Sequence, residues 1–156
     1  VLVGYGEKGK IILDELLQRH LSVVVVDDHH AVVEELREKK VNSIYGDATD
    51  PAILIQAHIH EAAILVLAID NEILCRKIVE TAKILRPTIE TVMPAENEED
   101  AKALKADGVA QAFVPDELLA QAIVQFTMSR FGKESEDQKI REEEAEEQKA
   151  IERGAL

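Results

Sequence analysis

The sequence predicts an α/β protein: a doubly wound parallel sheet of about six strands with helices on both faces. Three observations predict it. Apolar, largely β-branched runs alternate with segments of helical period along the first 131 residues. Glycine, proline, asparagine or aspartate punctuates most of the switches. Aromatics make up only 3% of the chain and tryptophan is absent, so Val, Ile, Leu and Ala must fill the core, as in a sheet buried on both faces.

The elements follow in order. Val1–Val3 is apolar and runs into Gly4-Tyr5-Gly6. Lys8–Arg19 has helical spacing at Ile11, Ile12, Leu16 and Leu17. Leu21–Val26 reads as a central buried strand ending at Asp27. Ala31–Lys39 reads as a helix, and Asn42–Tyr45 as a short strand stopped by Gly46. Asp50 is a good N-cap for a helix with Pro51 at its first position. Ala62–Ile69 is the next strand, ending at Asp70, and Glu72–Leu85 is a helix stopped before Pro87. Ile89–Met93 is a strand, Asn97 caps a helix to Ala106, and Gly108 ends it. Gln111–Val114 is a last short strand and Asp116–Phe131 a last amphipathic helix. Right-handed crossovers reduce the topologies to the strand order 3-2-1-4-5-6, a Rossmann-like fold.

A chain of 156 residues, 46% apolar, suits one domain with a single core. We take residues 1–131 as that domain and 132–156 as an acidic tail or linker helix. The tail is mostly Glu, Gln, Lys and Arg and cannot pack a core by itself. The net charge of −13 repels phosphate backbones and anionic lipid, which excludes broad nucleic-acid binding. Cys75, the one cysteine, sits in a helical pattern with Leu74, Ile78 and Val79 and reads as a small buried hydrophobe. No apolar run is long enough to span a bilayer. The start on Val1-Leu2-Val3, without Met, reads as a fragment cut from a longer polypeptide or as a chain given without its first residues.

The main chemical signal is Gly4-Tyr5-Gly6-Glu7-Lys8-Gly9, a GxGxxG between a strand and a helix. Gly4 permits the tight turn, Gly6 lets the backbone approach a phosphate, and Gly9 lets the helix pack close to the sheet. The N–H groups around Glu7 and Lys8 then point at the anion, helped by the helix dipole. Lys8 adds a charge contact, while the Glu7 side chain is expected in solvent. Asp27 lies about twenty residues past the motif, where a carboxylate accepts from ribose hydroxyls and repels a 2′-phosphate. This favours NAD(H) or an adenosine nucleotide over NADP(H). Asp28 either shares that role or caps the helix at Ala31. Asp47 and Ala48, after the third strand, fall at the carboxyl edge of the sheet, where an adenine ring can rest. Asp70 and Asn71 either contact a ribose or cap a helix.

Asp27, Asp28, His29 and His30 match no ordinary metal-ligand spacing, and adjacent side chains are expected to diverge, so no metal site is expected. His58 and His60 read as surface residues. Paired catalytic carboxylates, a nucleophile elbow and a Walker sequence are all missing, and no catalytic residue is assigned.

Gly4-Tyr5-Gly6-Glu7-Lys8-Gly9, Val24-Val25-Val26-Asp27, Tyr45-Gly46-Asp47-Ala48-Thr49-Asp50-Pro51 and Leu65-Val66-Leu67-Ala68-Ile69-Asp70 together resemble the TrkA-N domain, the N-terminal lobe of the RCK (KTN) domains that regulate potassium conductance. The likeness is greatest to the cytosolic domains of Kef-type potassium/proton antiporters. The resemblance implies a homodimeric regulatory domain that binds NAD(H) or an adenine nucleotide such as AMP. It implies a place on the cytoplasmic face of a bacterial inner membrane, tethered to the membrane-embedded part of a cation transporter or channel. By position, Gly4, Gly6, Glu7, Lys8 and Gly9 would hold phosphate, Asp27 the ribose, and Asp47 with Ala48 the adenine side. Many members carry an arginine after the fifth strand, where Pro94 aligns here. The competing expectation is the cofactor domain of an NAD-dependent oxidoreductase, which explains the glycine loop and Asp27 equally well but needs a substrate domain. Leu118, Leu119, Ile123, Val124 and Phe126 make the last helix more apolar than one face needs, either as a dimer contact or as a helix buried on its own sheet.

Overall fold

In the computed structural model, residues 1–131 are described. The acidic tail expected over 132–156 lies outside them. The described chain divides into two units, Val1–Pro115 and a second that begins at Asp116.

The first unit alternates strand and helix. Its strands are β1 (Leu2–Val3), β2 (Val24–Asp27), β3 (Asn42–Tyr45), β4 (Ile64–Leu67), β5 (Glu90–Pro94) and β6 (Gln111–Phe113). Its helices are α1 (Glu7–Gln18), α2 (His30–Glu38), α3 (Pro51–Gln56), α4 (Glu72–Leu85) and α5 (Glu98–Ala106). The six strands form one sheet in the order β3-β2-β1-β4-β5-β6, and every pairing is parallel. The expected Rossmann-like order is therefore the observed one. Strands are shorter than the apolar runs that announced them: Leu21–Val23 precede β2, and Ala62 and Ala63 precede β4.

Alternation along the strands divides the core. Leu2 and Val25 point with Leu13 of α1 and Leu36 of α2 into one layer. Val3, Val26, Leu65 and Leu67 point with Leu54, Ile78 and Leu104 into the other. The central strands must therefore be apolar on both faces, which explains their uninterrupted Val and Leu. Cys75 is fully buried in the second layer, and burial pushes its thiol up to about 11, so it packs as a hydrophobe.

Local signals set the helix starts. The Asp50 side chain accepts from the Ala52 N–H at 2.8 Å. Asn71 accepts from Leu74 and Asn97 from Asp100, each at 3.0 Å. These three caps satisfy first-turn donors. Helix ends follow a different rule. Gly108 ends α5 with φ +87°, as expected of glycine. α1, α2 and α3 are followed by His20, Lys40 and His58 at φ near +60°, a left-handed conformation that no residue type there announced. His58 and His60 are exposed, as expected of surface residues.

The second unit is described over 116–131, which is helical. Its seven large apolar side chains, from Leu118 to Phe131, are all exposed. Among the described residues no helix is long and apolar enough to cross a membrane.

Candidate nucleotide-binding site

Register places the site. Val3 is level with Val26 on one side and with Leu67 on the other, so β1, β2 and β4 end side by side. The crossovers after β1 and β4 leave toward opposite faces and open a crevice between them. There a cleft of about 420 Å³ is lined by Gly4, Tyr5, Gly6, Asp27, Asp28, Asp47, Ala48 and Asp70 of the expected residues. Glu7, Lys8 and Gly9 stand beside it without lining it.

The glycine loop is built by close approach. Gly4 takes φ +92°, and its N–H donates to the Val26 carbonyl at 2.9 Å. A side chain at Gly9 would overlap the Gly4 carbonyl oxygen, so α1 starts tight against the loop. Gly6 differs: a Cβ there would meet nothing within 4 Å. It faces open space, and no side chain caps α1. The first-turn N–H groups of a helix have no intrahelical partner, so those of α1 are free to meet an anion. The Glu7 side chain is in solvent, as expected.

Asp27 is 8% exposed and anchors this loop. Its Oδ2 accepts from the Tyr5 N–H at 2.8 Å and its Oδ1 from the His29 N–H at 2.9 Å. The Tyr5 side chain is buried in the α1–α2 layer. Asp28 does not cap α2; the N-cap position is His29, whose side chain caps nothing. The His29 Nδ1 instead lies 3.0 Å from Asp27 Oδ1 and 2.8 Å from Asp28 Oδ1. This corrects the expectation that these neighbours diverge: their ligating atoms lie within 4.8 Å of one another. The His29 backbone is extended (φ −103°) at the start of α2, and its Nδ1 is within hydrogen-bond distance of both carboxylates. Hydrogen bonding to Asp27 and the charges of Asp28 and Asp27 raise the His29 pKa above its usual 6.5.

Asp47 serves its own turn. Its Oδ1 accepts from the Thr49 N–H and Oγ1, both at 2.8 Å, which lowers its pKa. Asn71 is the cap of α4, which leaves Asp70 outside the helix. Asp70 pairs with Lys8 of α1, bridging the ends of β1 and β4. The sequence reading did not place His29, Val32, Leu74 and Ile78 at the cleft. Leu74 and Ile78, four apart on α4, carried only the signal of a core helix face. Pro94, where the resemblance sets an arginine, is the last residue of β5.

Fold and cleft define the class: a Rossmann-like domain with its cleft at the carboxyl edge of the sheet. The chain belongs to the TrkA-N domain family, whose profile matches residues 1–115. It is 29% identical over 125 residues to YbaL of Escherichia coli K12, described as a candidate cation/proton antiporter; that match covers 80% of this chain and 22% of YbaL. It is 32% identical over 117 residues to potassium channel protein 1 of Methanocaldococcus jannaschii, covering 74% of this chain and 35% of that protein. The chain thus spans well under half the length of these relatives. The solved TrkA-N domain of YbaL superposes with a TM-score of 0.75 at 29% identity, over 80% of this chain and 93% of that one. The AMP-bound C-terminal domain of Kef from Shewanella denitrificans shares the fold at 24% identity, with a TM-score of 0.66 over 81% of this chain and 78% of that one.

Proposed function

We propose that this chain is a regulatory nucleotide-binding domain of a potassium or other monovalent cation transporter, channel or antiporter, and that NAD(H) or an AMP-type ligand biases the transporter's gate. The observation that carries this reading is the open approach at Gly6 beside the uncapped start of α1, with Asp27 across the cleft. The first-turn N–H groups from Glu7 onward receive phosphate with the helix dipole behind them. Ribose hydroxyls donate to the free lone pairs of the Asp27 and Asp28 carboxylates. A 2′-phosphate brought to the same place meets like charge, which excludes NADP(H). The adenine side lies toward Asp47 and Ala48, with Asp70 at the second half of a dinucleotide. The AMP bound to the related Kef domain supports a ligand of this class.

The chemistry is binding rather than turnover. The domain, taken as residues 1–131, works as a homodimer through the exposed apolar helix over 115–131. It sits on the cytoplasmic face of a bacterial inner membrane, coupled to the membrane-embedded part of the same or a partner chain. The ligand acts by population shift, by as much as its affinity differs between two arrangements of the paired domains.

The test is calorimetric titration of the purified chain with NAD, NADH, AMP, ADP and NADP, with absorbance followed for turnover. We expect binding of NAD(H) or AMP, exclusion of NADP and no turnover. Gly6→Val should abolish binding and keep the melting temperature, because the space it fills is open. Unchanged binding by Gly6→Val would remove the loop from the site. Redox turnover would favour the cofactor domain of an oxidoreductase.

A further inference from the structure

The phosphate end of the cleft poses a charge problem. Four aspartates line the cleft, Asp27, Asp28, Asp47 and Asp70, and among the described residues no lysine or arginine does. The His29 ring is shared between Asp27 and Asp28. Lys8 is the cation beside the glycine loop, and its ammonium donates to Asp70. Lys10, two residues on, faces Glu7 at 3.9 Å and stands 5.8 Å from the centre of the Tyr5 ring. Positive charge at the phosphate position is therefore left to backbone dipoles. A helix N-terminus supplies roughly half an elementary charge. The pyrophosphate of a dinucleotide of the NAD type carries one negative charge on each of its two phosphates, whereas ADP joins one such phosphate to a terminal one of about −1.5 to −2 near neutral pH.

We propose that Lys8 and Asp70 act as one neutral unit that sets the charge selectivity of the site, so that it takes a pyrophosphate-linked dinucleotide of the NAD type over a diphosphate with a free terminal phosphate, such as ADP. The inference rests on the nucleotide reading above and narrows it. Asp70 is the specificity-determining residue: it cancels the lysine that would otherwise neutralise a terminal phosphate. The pair lies where it can do this, because it joins the first turn of α1 to the end of β4 across the crevice mouth. The Asp70 side chain is 83% exposed, so substitution there leaves the core untouched.

The experiment measures affinities for NAD, ADP and adenosine in the chain and in D70N, K8Q and K8Q/D70N. D70N should raise the affinity for ADP relative to NAD by about fivefold, and K8Q should lower it by about as much, the scale of an exposed ion pair. The double variant should return to within about twofold of the original ratio, because both charges leave together. If Lys8 holds phosphate independently of Asp70, the double variant behaves like K8Q and the proposal fails. If D70N weakens adenosine, Asp70 is a sugar contact and the proposal fails. If the unmodified chain binds none of the three ligands, the nucleotide reading itself falls. If it binds all three with an ADP-to-NAD ratio that D70N leaves unchanged, only the charge-selectivity inference falls.

Discussion

Asp27 and Asp70 occupy the same place in two βα units, each following the apolar run of a central parallel strand at one edge of one sheet. Their surroundings make them different devices. Asp27 is buried and takes two backbone N–H groups, one from the glycine loop and one from the start of α2. Asp70 stands in solvent and holds a single lysine. What separates them is the chain after each strand. After β2 the His29 N–H turns back onto the Asp27 carboxylate, which also receives the Tyr5 N–H from the glycine loop after β1. After β4, Asn71 takes over the capping of α4 and leaves Asp70 outside. A buried carboxylate that satisfies backbone donors organises a loop; an exposed one modulates charge.

The largest expected effect breaks this comparison directly. Asp27→Ala leaves the Tyr5 and His29 N–H groups without their acceptor, and a buried donor left unpaired costs about 1–3 kcal/mol. Asp70→Ala should stay within about 1 kcal/mol of the original chain, as for other exposed pairs. Urea melts of the two variants decide it. Equal losses would mean that burial does not separate the two aspartates.

A smaller effect sharpens the contrast at β4. Asn71→Ala removes the cap that frees Asp70 from capping duty, at a cost of about 1 kcal/mol. If Asp70 takes over the cap in that variant, the loss shrinks and the Lys8 pair opens. Comparing Asn71→Ala with the Asn71→Ala/Asp70→Ala double variant in the same melts reads this out.

The smallest effect concerns His29. Its pKa is raised by Asp27 and Asp28, so the folded protein holds that proton more tightly than the unfolded chain. The associated stabilisation is complete below pH 6.5 and is lost as pH rises through the raised value. NMR titration should find the His29 midpoint above 6.5, and Asp28→Asn should lower it. A midpoint at or below 6.5 would mean the ring does not bridge the two carboxylates in solution.

The contrast also measures how far the site was legible in sequence. The glycine loop, Asp27 and the Gly46–Ala48 turn were readable because each combines a residue type with a fixed offset from a strand. Asp28 and Asp70 were left between ligand contact and capping, and the structure ruled out capping for both, since His29 and Asn71 hold those positions. The convergence of Asp27, Asp28 and His29 ran against expectation, because it depends on one backbone turn rather than on spacing. Leu74 and Ile78 were unreadable as cleft residues, since an apolar pair on a helix looks alike whether it meets a sheet or a crevice.

By itself the sequence determined the order and kind of the elements, two of the three side-chain caps (Asp50 and Asn97) and the strand order. These rest on period, on contacts within about one helical turn, and on the handedness of crossovers. Only the tertiary structure decided which donors Asp27 receives, that Lys8 is spent on Asp70, and that His20, Lys40 and His58 close three helices in a left-handed conformation. The physical reason is separation along the chain. Tyr5 and Asp27 lie 22 residues apart, and Lys8 and Asp70 lie 62 apart, and partners so distant meet only where a packed sheet brings their strand ends together.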